Sequence, residues 1–283
     1  MGHSGVAIRG IDPRQFEFIR NRLYEQTGIV LTGRKRALVE SRITQRLRVL
    51  GLEDFASYLD YLRRDSGGEE LVHLIDVIST NVTHFFREAD HFRLIRGLTE
   101  QWLDQGANRL RFWSAACSTG EEPYSLAMAL QPFLARAGTD IRILATDIST
   151  RVLAHARAGV FDAERLETVP ESLRRRHFIR EPGSAGDRYA VTEDLKRLVM
   201  FHRLNFTRMP YPIRGSFDLI MCRNAMIYFD RTLREKMVEE FARLLKPGGF
   251  LMVGHAETLI GMEKSFRTVR PSVYQRISTG ENG

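Results

Sequence analysis

The residues best equipped for chemistry fall in a few short stretches. The first runs from Arg111 to Leu130 and reads RFWSAACSTGEEPYSLAMAL. Ser114 to Gly120 are small, Glu121 and Glu122 bring two carboxylates, and Pro123 leads into an apolar run from Tyr124 to Leu130. Small residues let a ligand come close to the backbone, and carboxylates accept hydrogen bonds from hydroxyls or an ammonium. A turn built to cradle phosphate would offer bare N–H groups or a lysine instead. A cationic nucleoside without phosphates, which describes S-adenosylmethionine (SAM), suits this turn better than ATP or NAD. The plain alternative is a structural turn with two solvated acids.

Three more polar groups stand where apolar runs end. Asp147 closes RILATDIST, where an acid in a Rossmann-like unit holds ribose hydroxyls; the alternative is an N-cap for a helix near Thr150. Asn205 closes MFHRLNF, and its amide can both donate and accept, matching an adenine edge. Arg223 and Asn224 close LIMCRNAMIYF, with Tyr228 just beyond. Between two differently patterned halves lies STNVTHFFR, where short polar residues meet Phe85, Phe86 and Arg87. No G-x-G-x-x-G and no G-x-x-x-x-G-K-[ST] occurs, which weighs against dinucleotides and nucleoside triphosphates.

The elements that must position these groups follow from periodicity. From about Asn108 onward strand-like and helix-like runs alternate, which argues for a parallel sheet. Strands are expected at Leu110–Trp113, Ile141–Thr146, Leu198–Leu204, Phe217–Cys222 and Phe250–Gly254, with a final antiparallel pair at Phe266–Val269 and Ser272–Ile277. Helices are expected at Tyr124–Ala137, Thr150–Ala158 and Arg231–Leu245, the last stopped sharply by Lys246-Pro247-Gly248-Gly249. Pieces rich in strand formers around a Gly-rich turn suggest a small antiparallel insertion between about 160 and 197. Residues 1–80 read as a separate helical unit, and 81–107 as a linker and connecting helix leading to a domain over 108–283.

In the helical unit, the run RKRALVESRITQRLRVL places Arg34, Lys35, Arg36, Arg42, Arg46 and Arg48 within fifteen residues, opposed only by Glu40. With a formal net charge of +7, this permits an acidic partner. The 283 residues, 43% hydrophobic and 27% charged, are ordinary for a soluble protein, and no apolar run approaches the length of a membrane span. A cytoplasmic location and no membrane insertion are expected. Cys117 and Cys222 read as buried thiols, and no Cys/His cluster has ligand spacing, so no metal is expected.

Taken together, STNVTHFFRE, SAACSTGEEPYS, ATDIST, CRNAMIYF, LLKPGGFLMVGHAE and the closing Val273-Tyr274 resemble the chemotaxis receptor glutamate methyltransferases, the CheR family. The resemblance spans about Phe16 to Ile277. It implies a class I SAM-dependent methyltransferase: an α/β, Rossmann-like, seven-stranded sheet with an antiparallel edge hairpin, an all-helical N-terminal domain and an inserted β-subdomain. It implies that Asn81, Thr83 and Arg87 close over the methionine part of SAM. Glu122 would meet its amine, Asp147 its ribose, and Asn205 with Phe206 its adenine; Arg223 and Asn224 would line the same pocket. Arg87 and Tyr228 would be catalytic, the product cofactor S-adenosylhomocysteine, and Arg42, Arg46 and Arg48 would dock acidic receptor helices. A receptor C-terminal tether peptide would dock at the β-subdomain, where this chain has Glu181-Pro182-Gly183 in place of the Gly-x-Gly common among tethering members. A nucleic-acid methyltransferase is the less favoured substrate class, because Arg223-Asn224-Ala225-Met226 is not the Asn/Asp-Pro-Pro-aromatic tetrad of amino-methylating enzymes. A non-catalytic SAM-binding regulator is the other alternative.

Overall fold

The computed structural model describes residues 10–65, 68–78, 82–182, 187–261 and 264–277. The chain divides into two compact units: Met1–Thr80 with Tyr228–Asp230, and Asn81–Ile227 with Arg231–Gly283.

The first unit is helical, with α1 at Pro13–Thr27, α2 at Arg36–Leu50, α3 at Phe55–Arg64 and α4 at Glu69–Ile78. Asp12 starts α1: its side chain accepts from the Gln15 N–H, Gln15 returns the bond to the Asp12 N–H, and Pro13 supplies a preset φ. Gly28 and Gly51 end α1 and α2 with left-handed backbone at φ 72° and 67°. Ile19, Leu23, Val39, Ile43, Leu47, Tyr58 and Leu74 are buried between the helices. The short segment Tyr228–Asp230 belongs here through a backbone bond from Val30 N–H to the Tyr228 carbonyl at 2.8 Å and a bridge between Ile29 and Phe229.

The second unit opens with α5 at Ala89–Asp104. Then come β1 at Arg109–Ala115, α6 at Glu121–Leu130, β2 at Asp140–Asp147 and α7 at Thr150–Ala158. An insertion holds β3 at Val160–Asp162, α8 at Glu171–His177, β4 at Phe178–Arg180, β5 at Arg188–Val191 and the single turn α9 at Glu193–Lys196. The main chain of strands resumes with β6 at Val199–Arg203, β7 at Phe217–Cys222, α10 at Arg231–Leu244, β8 at Leu245–Val253, β9 at Phe266–Arg270 and β10 at Val273–Arg276. The large sheet has the order β6-β2-β1-β7-β8-β10-β9, parallel from β6 to β8, with β10 antiparallel to both its neighbours. The insertion forms its own antiparallel sheet in the order β3-β5-β4.

From β1 the chain moves outward through β2 to β6, then returns to the other side of β1 with β7 and β8. The order therefore reverses between β1 and β7, and their carboxyl ends lie side by side, Ala115 opposite Cys222. Open α/β sheets bind ligands at this switch point. All six residues of β7 are buried, as a strand covered on both faces demands.

Two local expectations differ from the structure. The helix expected to reach Ala137 gives way after Leu130 to a 3-10 turn over Gln131–Ala135, because Pro132 has no N–H to continue the α ladder. Lys246-Pro247-Gly248-Gly249 do not merely stop a helix but form the first part of β8, with Gly248 at φ 76°. There the register against β7 jumps from Phe217–Leu245 to Leu219–Phe250, so the extra residues bulge out of the ladder. Among the described residues, no helix is long and apolar enough to cross a membrane.

Candidate cofactor site

The backbone at the switch point is unusual before any side chain is considered. After β1, Ala116 and Ser118 take φ 64° and 50°, and Gly120 takes 103°. After β7, Asn224 takes 57°, and ahead of α5 Phe86 and Glu88 take 55° and 56°. Left-handed backbone at a residue with a Cβ costs on the order of 1–3 kcal/mol, and such strain gathers where a site needs a particular loop shape.

Glu257, which sequence reasoning did not single out, holds one of these strained residues. It is buried, and one carboxylate oxygen accepts from the N–H groups of Asn224 and Gly254, each at 2.7 Å. Its other oxygen accepts from Ile227 N–H at 3.2 Å. Gly254 is required there, since a Cβ at that position would lie 2.5 Å from Asn224 Nδ2.

Arg223, only 1% exposed at its side chain, is the hub of the site. Its Nη2 lies 3.0 Å from Glu88 Oε2, its Nη1 lies 3.4 Å from Glu122 Oε2, and it also donates to the Arg87 carbonyl. Glu122 Oε1 accepts from Ser114 Oγ at 2.7 Å, which ties the start of α6 to β1. Glu88 Oε1 accepts from His255 N–H at 3.2 Å and lies 3.5 Å from Asn224 Nδ2. The stretches around Arg87, Glu122 and Asn224 thus join in one polar chain.

The two acids respond in opposite directions. Burial pushes the Glu122 carboxyl above its ordinary range, against the Arg223 charge and the Ser114 hydroxyl, with Glu88 adding to the rise. Burial also pushes Glu88 up, but the Arg223 charge and the His255 N–H outweigh it and hold Glu88 below the usual value. One guanidinium does not satisfy both carboxylates equally.

Asp147 closes β2 and is 8% exposed. Its Oδ2 accepts from Ser118 N–H at 2.9 Å and its Oδ1 from Ser149 N–H at 3.0 Å. Ser149 itself caps α7, so the helix start is served by the serine and the carboxylate braces the loop after β1. The Asp147 carbonyl accepts from Leu204 N–H at 3.0 Å, bringing the end of β6 alongside. There the Asn205 oxygen is tied to the N–H and hydroxyl of Thr207 at 3.0 and 2.9 Å, and Phe206 is buried against Tyr211 and Phe241.

Arg87 donates to the Val82 carbonyl at 2.9 Å, and its charge reaches Glu122. Thr83 uses its carbonyl to accept from Arg165 at 3.3 Å, and Arg165 also pairs with buried Glu121 at 3.2 Å. Asn81 lies outside the described residues, as do positions 183–186 of the turn in the insertion. Tyr228 is grouped with the helical unit, where Lys35 Nζ lies 4.6 Å above its ring.

In that helical unit Arg42 and Arg48 are exposed, but Arg46 is not available to a partner. Its Nε and Nη2 grip both oxygens of buried Glu70 at 2.6 to 3.1 Å. Cys117 and Cys222 are both buried free thiols, and burial raises both well above the ordinary range.

Comparison with known proteins decides the family. Residues 81–275 match the CheR methyltransferase SAM binding domain, and residues 14–79 match the CheR methyltransferase all-alpha domain. This chain belongs to the CheR methyltransferase family. It is 42% identical over 259 residues to chemotaxis protein methyltransferase 2 of Pseudomonas aeruginosa, covering 92% of this chain and 91% of that protein. The chemotaxis protein methyltransferase of Escherichia coli is 39% identical, covering 92% and 89% respectively, and that of Borreliella burgdorferi is 38% identical, covering 90% and 91%. As a CheR-family enzyme, the protein is a SAM-dependent methyltransferase with the class I fold.

The donor set at the switch point fits SAM. It offers buried carboxylates for an ammonium and for vicinal hydroxyls, and small residues at the turn itself. Two signals in the sequence mark the neighbours of these residues. Glu88 directly follows Arg87, and GHAE, which contains His255 and Glu257, sits at the end of a predicted strand.

Proposed function

We propose that this enzyme forms methyl esters on glutamate side chains in the acidic helical region of chemotaxis-type receptors, in the cytoplasm, and so tunes receptor signalling. The observation that carries the reading is the pairing of a CheR-family SAM domain with a switch-point site in which Glu122, Asp147, Arg223 and Asn224 are held by hydrogen bonds to their surroundings.

SAM supplies an electrophilic methyl group on a sulfonium. In this reading Glu122 receives the cofactor ammonium, whose charge offsets the cost of ionising that buried carboxyl. Asp147 accepts from the ribose hydroxyls. Asn205 and Phe206 receive the adenine, and Arg223 with Asn224 lines the pocket. Asn81 and Thr83 close over the methionine end. The substrate carboxylate is ionised at neutral pH, so it attacks without a general base, and orientation together with water exclusion supplies the rate. Arg87 orients that carboxylate through its planar fork. Tyr228, four residues beyond Asn224, flanks the path of the methyl group.

Receptor docking falls to the exposed arginines Arg42 and Arg48; Arg46, held by Glu70, drops out of that role. A tether peptide at the β3-β5-β4 sheet belongs to the same reading.

The test uses labelled SAM and a receptor cytoplasmic fragment. Label should appear in protein as a base-labile ester, and Arg87→Ala should lose most of it while retaining the fold. Label in nucleotides would move the substrate to nucleic acid. SAM binding with no transfer to any receptor fragment would make the chain a regulator. Wild-type turnover by Arg87→Ala would remove that residue from the mechanism.

A further inference from the structure

Glu88 and His91 are neighbours three residues apart and His255 is distant in sequence, yet each offers one ligand atom within 4.8 Å of the other two. Glu88 is the residue before α5, His91 lies in the first turn of that helix, and His255 lies just after β8. His91 is fully buried. Its Nε2 lies 2.9 Å from Ser272 Oγ, while its Nδ1 faces Glu88 Oε2 at 3.6 Å and has no hydrogen-bond partner.

A buried ring nitrogen without a partner is uncommon and calls for an explanation. When Nε2–H donates to Ser272, Nδ1 presents a lone pair to a carboxylate oxygen, two acceptors with nothing between them. In that tautomer a metal cation between them would satisfy both acceptors. The neutral imidazole is the form that ligates metals.

We propose that Glu88 Oε2, His91 Nδ1 and His255 Nε2 form a binding site for a zinc-type divalent cation. Two imidazole nitrogens and a carboxylate oxygen are a donor set zinc accepts, with a fourth position for water. In a tetrahedral zinc site neighbouring ligand atoms stand about 3.3 Å apart. Here His91 and Glu88 are at 3.6 Å and His255 and Glu88 at 3.9 Å. A modest swing of the half-exposed His255 ring closes the site. The Ser272 hydroxyl fixes the far side of the buried imidazole, the outer-shell support that ligating histidines use. Asp90 Oδ1 holds the same His255 nitrogen at 3.2 Å and is the partner a metal must displace.

The site has a consequence for the neighbouring pocket. Glu88 Oε2, which a metal would use, is the oxygen that holds Arg223. Once Glu88 is engaged, Arg223 shifts its pairing toward Glu122, the carboxylate assigned to the cofactor ammonium. Metal and cofactor then oppose each other. This linkage rests on the proposed reading of the pocket, whereas the metal site itself does not.

The experiment titrates the full-length protein with zinc chloride by calorimetry, and with cobalt(II) for its visible absorption. One metal per chain is expected, with the spectrum of tetrahedral nitrogen and oxygen ligation. His255→Ala, at a half-exposed position, should weaken binding by about tenfold or more, since even the loss of an outer-shell partner costs that much. His91→Gln should do the same, with its thermal melt recorded to confirm folding. Zinc uptake that is absent, or unchanged in His255→Ala, overturns the site. SAM should bind several-fold more weakly at saturating zinc; equal affinities overturn the linkage alone. If SAM binds in neither condition, the cofactor reading fails while the zinc titration still judges the site.

Discussion

Each unit sets an arginine against largely buried carboxylates, and the two are used differently. In the helical unit Arg46 meets a single carboxylate, Glu70, which also accepts from the Tyr58 hydroxyl at 2.8 Å. One positive charge answers one negative charge, and both carboxylate oxygens are hydrogen-bonded. In the α/β unit Arg223 is divided between Glu88 and Glu122, beside an orphaned imidazole nitrogen and left-handed backbone at Phe86, Glu88 and Asn224. A balanced buried pair is close to neutral against apolar packing and is costly only when halved. An unbalanced cluster retains a demand for positive charge that a ligand can meet. Charge balance, more than burial or the presence of an ion pair, separates the structural arginine from the functional one.

The strongest challenge to this distinction replaces each arginine with methionine. Both Arg223→Met and Arg46→Met leave a buried carboxylate unpaired and should cost about 3–5 kcal/mol in urea unfolding. Calorimetric titration should then show SAM binding lost in Arg223→Met and unchanged in Arg46→Met. Equal losses in the two variants would erase the comparison.

A smaller effect is expected from Glu122→Gln, which keeps the shape and removes the charge. SAM affinity should fall by about 2 kcal/mol, or about thirtyfold, for the lost charge-assisted contact. Stability should move the other way. Glu122 is raised by burial, so the folded state holds its proton more firmly than the unfolded chain does. Its contribution to stability is full below the ordinary glutamate range and fades as pH rises through the raised value. The glutamine variant should therefore be no less stable than the parent at neutral pH, whereas Glu70→Gln, which halves the balanced pair, should be less stable. Unfolding curves for the two variants with the opposite order would contradict this account.

Gly254→Ala probes the support around Asn224. The added methyl would meet Asn224 Nδ2 at 2.5 Å and Glu257 Oε2 at 2.9 Å, so a cost of about 1–3 kcal/mol is expected, with weaker SAM binding. Full stability and full affinity in that variant would show that the Glu257 nest does not shape the pocket.

The last expected effect concerns pH. His91 is lowered from 6.5 to about 4, so between those values the unfolded chain binds more protons than the folded one. Stability from this residue is present above about pH 6.5 and is lost as pH falls toward 4, with a slope of at most about 1.4 kcal/mol per pH unit. His91→Gln should flatten denaturation free energies over that window. An unchanged slope would assign it to other groups.

Much of this molecule could be read along the chain. Alternating apolar runs announced the parallel sheet because buried strands and crossover helices each impose a period on their own residues. The polar residues at strand ends stood out for the same reason, since a run of apolar residues makes its terminus visible. Arg46 shows the limit of such reading. On a helix dense with cations it looked like its neighbours Arg42 and Arg48, and only α4, twenty-four positions later, supplies the Glu70 that removes it from the surface. The Lys246–Gly249 stretch likewise carried a turn composition, yet pairing with β7 draws it into a strand.

The sequence by itself determined the class of fold, the family and the order in which polar groups arrive at the sheet's carboxyl edge, because these follow from local spacing and residue type. Tertiary structure alone decided which charges meet. His255 has no local spacing to Glu88 and His91, and Arg223 stands 135 residues from Glu88. Their encounter depends on which strands lie side by side at the switch point, and burial there sets how strongly each carboxylate, imidazole and guanidinium needs its neighbours.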